Sequence, residues 1–247
     1  MLRYETDERR WEDVLENELW DFEQPWNEVL PALELSYKHM PVHLRRCFIS
    51  LSLYPKDYQF TDTQVCHLWK VLDLLHCDGN DDEDKIGELY LNELVQRSMI
   101  QIHDFVMDSY TLHDLLHDLA CFLAGEEFYR LEGDTLTEIP EKVRYLSLHE
   151  GITSANISAL PHSLRAIIVM EDIPKMIQIA HLESLFLTCQ KLRALDLSGS
   201  SLVMALPDCI GNLKLLRHLS FDTFCYRVQH FQNLVLSGTG KIINLRS

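Results

Sequence analysis

Glycine is scarce in this chain of 247 residues, and its nine copies never form G-x-x-x-x-G-K-[ST]. The loop that wraps a phosphate with successive backbone N–H groups at a helix start is therefore missing. The nearest approach, Gly238-Thr239-Gly240-Lys241, lacks the first glycine at the required spacing and has Ile242 where a magnesium-binding hydroxyl belongs. Cysteine is limited to seven residues, an odd number without any C-x-x-C pair, which argues against a disulfide framework and a cysteine zinc site. Cys47 and Cys121 lie in apolar runs and read as packed thiols, with no histidine placed beside them by the sequence. No stretch of about 18 apolar residues exists to span a bilayer, and MLRYETDERRW opens the chain without the apolar run of a secretion signal. The expectation is a soluble, cytoplasmic chain with reduced thiols.

Basic charge is scarce in one region only. Residues 1–140 carry 11 Lys and Arg against 30 Asp and Glu, whereas residues 141–247 carry 11 against 8. Two regions are implied, and the acidic first one repels nucleic-acid phosphates. Apolar residues are plentiful at 47%, enough for a real core in one large domain or two ordinary ones.

Hydrophobic spacing divides the first region into helices. Trp11, Val14, Leu15 and Leu19 suggest the first; Val29, Leu30, Leu33, Leu35 and Tyr37 follow the break at Pro25. Pro41 can open a third, PVHLRRCFISLSL, which stops at Pro55. Thr61 and Gln64 form a capping-box signature ahead of Val65, Leu68, Trp69, Leu72 and Leu75, with Trp69 and Trp20 as core anchors. The acidic loop Asp78–Asp84 imitates the start of a calcium loop, but Glu83 stands where the turn glycine belongs and Leu89 where the bidentate glutamate belongs. Ile86, Leu89, Tyr90, Leu94 and Val95 make a fifth helix, and Met99–Ile102 and Phe105–Tyr110 read as two short strands around a polar turn. Helices followed by a small hairpin describe a winged helix.

Thr111–Gly125, TLHDLLHDLACFLAG, carries the densest polar cluster. Thr111 is the expected N-cap, Leu112, Leu115, Leu116, Leu119, Phe122 and Leu123 the expected apolar face, and Gly125 the left-handed stop. His113, Asp114, His117 and Asp118 fall on the other face. Further on, L-x-x-L-x-L recurs as Val143-x-x-Leu146-x-Leu148, Leu164-x-x-Ile167-x-Val169, Leu192-x-x-Leu195-x-Leu197 and Leu216-x-x-Leu219-x-Phe221. Their starts lie 21, 28 and 24 residues apart, near the period at which short strands stack in a leucine-rich-repeat solenoid. A weaker Phe231-x-x-Leu234-x-Leu236 follows.

Four segments in order carry a resemblance. Leu30–Phe60 with its Cys47-Phe48 and Tyr54-Pro55-Lys56-Asp57-Tyr58, the pair Leu68-Trp69, Tyr90–Gln101, and Tyr110–Ala120 with Leu112-His113-Asp114 resemble successive motifs of the NB-ARC region of plant nucleotide-binding leucine-rich-repeat immune receptors. Leu112 replaces the methionine of the family's Met-His-Asp motif, a volume-conserving change.

The resemblance implies an α+β chain, a helical and winged-helix domain followed by a short leucine-rich-repeat α/β solenoid, lacking the P-loop half of the nucleotide switch. Its expected parts are a helical segment over 1–45, a winged helix over 46–125, a linker over 126–140 and truncated repeats over 141–247. It assigns to His113 an approach to the diphosphate of ADP, with Asp114 orienting the turn; a chain without the P-loop would hold ADP or ATP weakly by itself. Implied partners are a nucleotide-binding domain, in the same chain or separate, and a protein ligand on the repeats, either a pathogen effector or a host protein. Neither catalysis, nucleic-acid binding nor a membrane span is implied.

Two other readings compete. His113-Asp-Leu-Leu-His117 imitates H-E-x-x-H, which would make a metal-dependent hydrolase with Asp114 or Asp118 as base or ligand. A DNA-reading winged helix would have to rely on Lys70, Lys85 and Arg97 alone.

Overall fold

The computed structural model describes residues 30–77, 82–103, 109–132, 139–149, 157, 160–170, 179–198, 207–222 and 243–246. They belong to two compact units, Met1–Ala124 and Gly125–Ser247. The helix expected around Trp11–Leu19, Trp20 and most of the acidic loop lie outside the described residues, as does the weak Phe231–Leu236 motif.

The first unit begins with α1 (Leu30–Lys38) and α2 (Val42–Ser50), and α2 runs into a single 3₁₀ turn, Leu51–Leu53. Pro41, at φ −52°, stands immediately before α2, where a proline's missing N–H costs no helical bond. β1 (Phe60–Thr61) leads directly into α3 (Asp62–Val71). The capping box forms as the sequence predicts: the Gln64 N–H donates to Thr61 Oγ1 over 3.2 Å, and the Thr61 N–H donates to Gln64 Oε1 over 2.8 Å.

α4 (Glu83–Gln96) starts on Asp82, whose carboxylate accepts from the Asp84 N–H at 3.2 Å. β2 (Gln101–Ile102) and β3 (Ser109–Thr111) follow, then α5 (Asp114–Ala124). The small antiparallel sheet has the order β1-β3-β2, with Tyr110 opposite both Phe60 and Ile102. β1 is too short to show an alternating pattern and was not legible as a strand.

Trp69, Phe48, Phe60, Leu44, Leu51 and Leu94 form the fully buried centre of this unit. The Trp69 indole can be enclosed because its Nε1–H donates to the Cys47 carbonyl at 3.1 Å.

The second unit is a six-stranded sheet, and every pair in it is parallel. Its strands are β4 (Phe128–Leu131), β5 (Tyr145–Leu148), β6 (Ala166–Val169), β7 (Ala194–Leu197), β8 (His218–Asp222) and β9 (Ile243–Arg246), each beside its predecessor. A helix, α6 (Ile179–Thr188), occurs in the crossover before β7. Parallel neighbours cannot be joined by a tight turn, so each strand is reached by a long return.

Register explains the spacing of the apolar residues. Leu146, Ile167, Leu195 and Leu219 stand opposite one another on successive strands, and with Val143, Leu164 and Leu192 they are buried in one cluster. β4 lies inside the stretch expected to be a linker, residues 126–140, and is instead the first strand of the sheet.

A second regularity escaped the sequence reading. Arg144, Arg165, Arg193 and Arg217 each precede a strand by one residue, and they are linked in sequence: the N–H of Arg165 bonds the carbonyl of Arg144, Arg193 that of Arg165, and Arg217 that of Arg193, each at 2.7 Å.

Candidate functional site

The polar cluster of α5 is built from the turn that follows the 3₁₀ segment. Tyr54 is buried, its ring stacked on Tyr58 at 5.0 Å and on Phe60 at 5.2 Å between centroids. Asp57 within this turn takes a positive φ of 61°, a conformation that Asp tolerates better than most side chains.

Thr111 is not the cap. It is still in β3, and its hydroxyl donates to the Tyr58 carbonyl at 3.3 Å, tying the strand to the turn. The capping position belongs to His113, two residues later. His113 Nδ1 accepts from the Leu115 N–H at 3.3 Å, while its carbonyl accepts from the N–H groups of Leu116 and His117 at 2.8 and 2.9 Å. A ring whose Nδ1 accepts carries its proton on Nε2 in the neutral form. His113 and Asp114 are both exposed, at the positive end of the helix dipole.

The four polar residues do not share a face. His117 is 4% exposed, and its Nε2–H donates to the Tyr54 carbonyl at 3.0 Å. Asp118 reaches the same turn by another route: Lys56 Nζ lies 3.0 and 2.9 Å from its two carboxylate oxygens, and 3.9 Å from Asp114 Oδ2. The hydrogen bond to Asp118 pulls the Lys56 ammonium above the ordinary lysine range, with the charges of Asp118, Asp114 and Asp57 adding to it. On the packed side are Leu116, Leu119, Ala120 and Ala124, whereas Phe122, expected in the core, is 67% exposed. Gly125 does adopt the expected left-handed φ, 54°.

This geometry gives the competing chemistries no support. For a shared metal, His113 and His117 would each have to turn a nitrogen to one point, yet His113 Nδ1 caps the helix and His117 Nε2 is held by Tyr54. Among the described residues no group of three or more His, Cys, Asp or Glu is placed to hold a metal ion. The basic residues a DNA reader would need already face acids: Lys70 lies 2.8 Å from Asp84 and 3.5 Å from Glu83, Lys85 is 3.7 Å from Asp82, and Arg97 is 2.7 Å from Glu93. No described helix is long and apolar enough to cross a membrane.

Helices α1 to α4, a three-stranded antiparallel sheet and the polar-tipped α5, stapled to a tyrosine-rich turn, define a winged-helix module. Residues 53–120 match the family described as the disease resistance protein winged helix domain. Along most of its length the chain is similar to plant disease resistance proteins. It is 33% identical to the disease resistance protein At3g14460 of Arabidopsis thaliana over 90% of its own length and 16% of that relative's. RPP13-like protein 1 of the same plant is 29% identical over 90% of this chain and 22% of its own length. Disease resistance protein RGA2 of Solanum bulbocastanum is 35% identical over 50% of this chain and 13% of its own. The chain thus spans about a fifth of the length of the first two relatives, which are 16% and 22% covered.

Proposed function

We propose that this chain is the nucleotide-state sensor and recognition portion of a cytoplasmic plant immune receptor of the NB-ARC leucine-rich-repeat class, acting by changing shape and not by catalysis. The observation that carries the reading is the division of labour on α5. His117 and Asp118 fasten the helix to the turn at Tyr54 and Lys56, so that His113 is left at an exposed, electropositive helix start on a fixed support. An exposed imidazole at the positive end of the helix dipole suits an anion, here the diphosphate of ADP, presented by a nucleotide-binding domain in the same or a separate chain. Asp114, one residue on, orients that turn.

Exchange of ADP for ATP would then change the differential affinity between a packed and an open arrangement, which is all that a ligand can do to a two-state element. In the second unit, the sequential parallel strands and the in-register leucines fit a short leucine-rich-repeat solenoid, whose open surface suits a protein ligand such as a pathogen effector or a host protein. Domain limits of 46–125 for the winged helix and 141–247 for the repeats serve this reading, with β4 added at the start of the repeats.

The test is to join this chain to a P-loop nucleotide-binding domain of the NB-ARC class and to measure ADP retention by equilibrium dialysis. His113→Ala should weaken ADP about tenfold, the loss of one charge-assisted contact, with melting temperature nearly unchanged. Equal ADP affinity in a well-folded His113→Ala fusion would overturn the assignment.

A further inference from the structure

The apolar run around Cys121 implied a packed, inert thiol, but folding puts an imidazole beside it. Cys121 is partly exposed, and its Sγ lies against the ring of His117, one helical turn earlier, 3.8 Å from Nδ1 and 3.9 Å from Nε2. The tautomer of that ring is dictated by its surroundings. Because a carbonyl can only accept, the bond to Tyr54 at 3.0 Å fixes the proton on Nε2, so the lone pair of the neutral ring is on Nδ1. Asp118 Oδ1 stands 4.0 Å from that same Nδ1, and Asp118 is itself held by Lys56. An imidazolium formed here would therefore have the Tyr54 carbonyl on one nitrogen and a carboxylate near the other. Nucleophile, base and orienting groups stand in the order that activates a cysteine.

We propose that Cys121 is an activated thiol, a modification site for hydroperoxide oxidants, with His117 as its base. The Sγ proton passes to Nδ1, and the thiolate attacks one peroxide oxygen. An S–O bond forms as the O–O bond breaks, and the departing hydroxide takes the proton from Nδ1 and leaves as water. Sulfur is oxidised to a sulfenic acid and the peroxide is reduced. Other thiols differ in kind. Burial pushes Cys66 and Cys189 up to about 12 and Cys47 higher still, so their thiolates are suppressed. The position of Cys121 toward the C-terminal end of α5 works against a thiolate, and the adjacent imidazolium has to outweigh that dipole. The inference stands on this dyad alone and is independent of any nucleotide role for His113.

The test is made on the full chain with two probes. After substoichiometric hydrogen peroxide and trapping with dimedone, peptide mass spectrometry should find the adduct on Cys121 ahead of the comparably exposed Cys77 and Cys209. Iodoacetamide at pH 6.5 should alkylate Cys121 about fivefold faster than those two, the gain from a lowered thiol pKa less the accompanying loss of nucleophilicity. His117→Gln should remove that advantage. Equal labelling of the three cysteines, or an unchanged Cys121 rate in a His117→Gln chain with native circular dichroism, overturns the proposal. Should that variant not fold, the unmodified chain decides. A Cys121 rate that levels off below pH 8 upholds the dyad, and one that climbs tenfold per pH unit through pH 8, as an ordinary thiol does, rejects it.

Discussion

His117 donates its Nε2 proton to the carbonyl of Tyr54 across 63 residues of sequence, and the two groups are enclosed together. The two histidines of α5 should therefore behave oppositely when truncated. His117→Ala removes a donor from a buried carbonyl and leaves a hole where the ring stood, a loss of about 2–4 kcal/mol. His113→Ala removes only a helix cap at an exposed position, under about 1 kcal/mol. Urea denaturation of both variants checks the order. Equal losses would mean that the histidine at the helix start is as structural as the one beneath it.

Lys56 gives stability a pH dependence of known sign. Its folded pKa is raised, chiefly by the hydrogen bond to Asp118, so the ion pair's contribution is fully present below the unfolded lysine value of about 10.4 and is lost as pH rises through the folded value. Lys56→Met should be less stable than the unmodified chain at pH 7, and the gap should close as pH rises through the raised folded value. It should also shrink in about 0.5 M salt, since the pair is exposed to screening. A gap that stayed constant in both titrations would assign the effect to packing of the side-chain stem.

The parts of the fold that could be read in the sequence are those where a local signal and the tertiary arrangement agree. Thr61 and Gln64 form a capping box because both groups lie in one four-residue stretch. Leu146, Leu195 and Leu219 announce their strands because stacking requires apolar residues at fixed offsets. β4 was missed because Phe128–Leu131 has no apolar residue three places ahead of its first buried position, and it is recognisable only from its pairing with β5. On α5 the place of Phe122 was misjudged for a different reason. The packed arc of the helix runs through Leu116 and Leu119, as the spacing implies, but is completed by His117, Ala120 and Ala124, a hydrogen-bonded imidazole and two small residues, whereas the large Phe122 is left outside. A pattern weighted toward leucine and phenylalanine cannot detect a face chosen for close approach. The distribution of roles among His113, His117 and Cys121 follows from that rotation.

Close approach also governs α4. A Cβ placed on Gly87 would stand 2.7 Å from Cys66 Sγ and 3.0 Å from its Cβ, on the neighbouring α3. Alanine is ordinarily favoured over glycine inside a helix by about 1 kcal/mol. Overpacking of a filled interface costs about 1–3 kcal/mol, and with Cys66 buried there is little room to yield, so the second effect wins. Gly87→Ala should destabilise the chain in thermal melts. In a Cys66→Ala background most of that loss should disappear, because the nearest atom is gone. Additive losses in this double-mutant cycle would place the strain elsewhere.

The arginines before β5 to β8 set up the last prediction. Residues opposite one another on adjacent strands are about 4.8 Å apart, and like charges so placed repel. Arg193 is flanked on both sides, by Arg165 through its own N–H and by Arg217 through its carbonyl, and it is exposed. Arg144 has a relieving carboxylate in Glu127 at 3.3 Å, so the repulsion is concentrated at the middle of the row. Arg193→Gln keeps most of the side chain and removes the charge. It should raise stability by about 0.2–1 kcal/mol at low ionic strength. The gain should fade in about 1 M salt, where the screening length drops to about 3 Å. Arg144→Gln, which breaks a pair as well as relieving a neighbour, should gain less. A loss of stability in Arg193→Gln at low salt would show that the row is held together by acids supplied from its surroundings, and that its spacing is a source of attraction and not of strain.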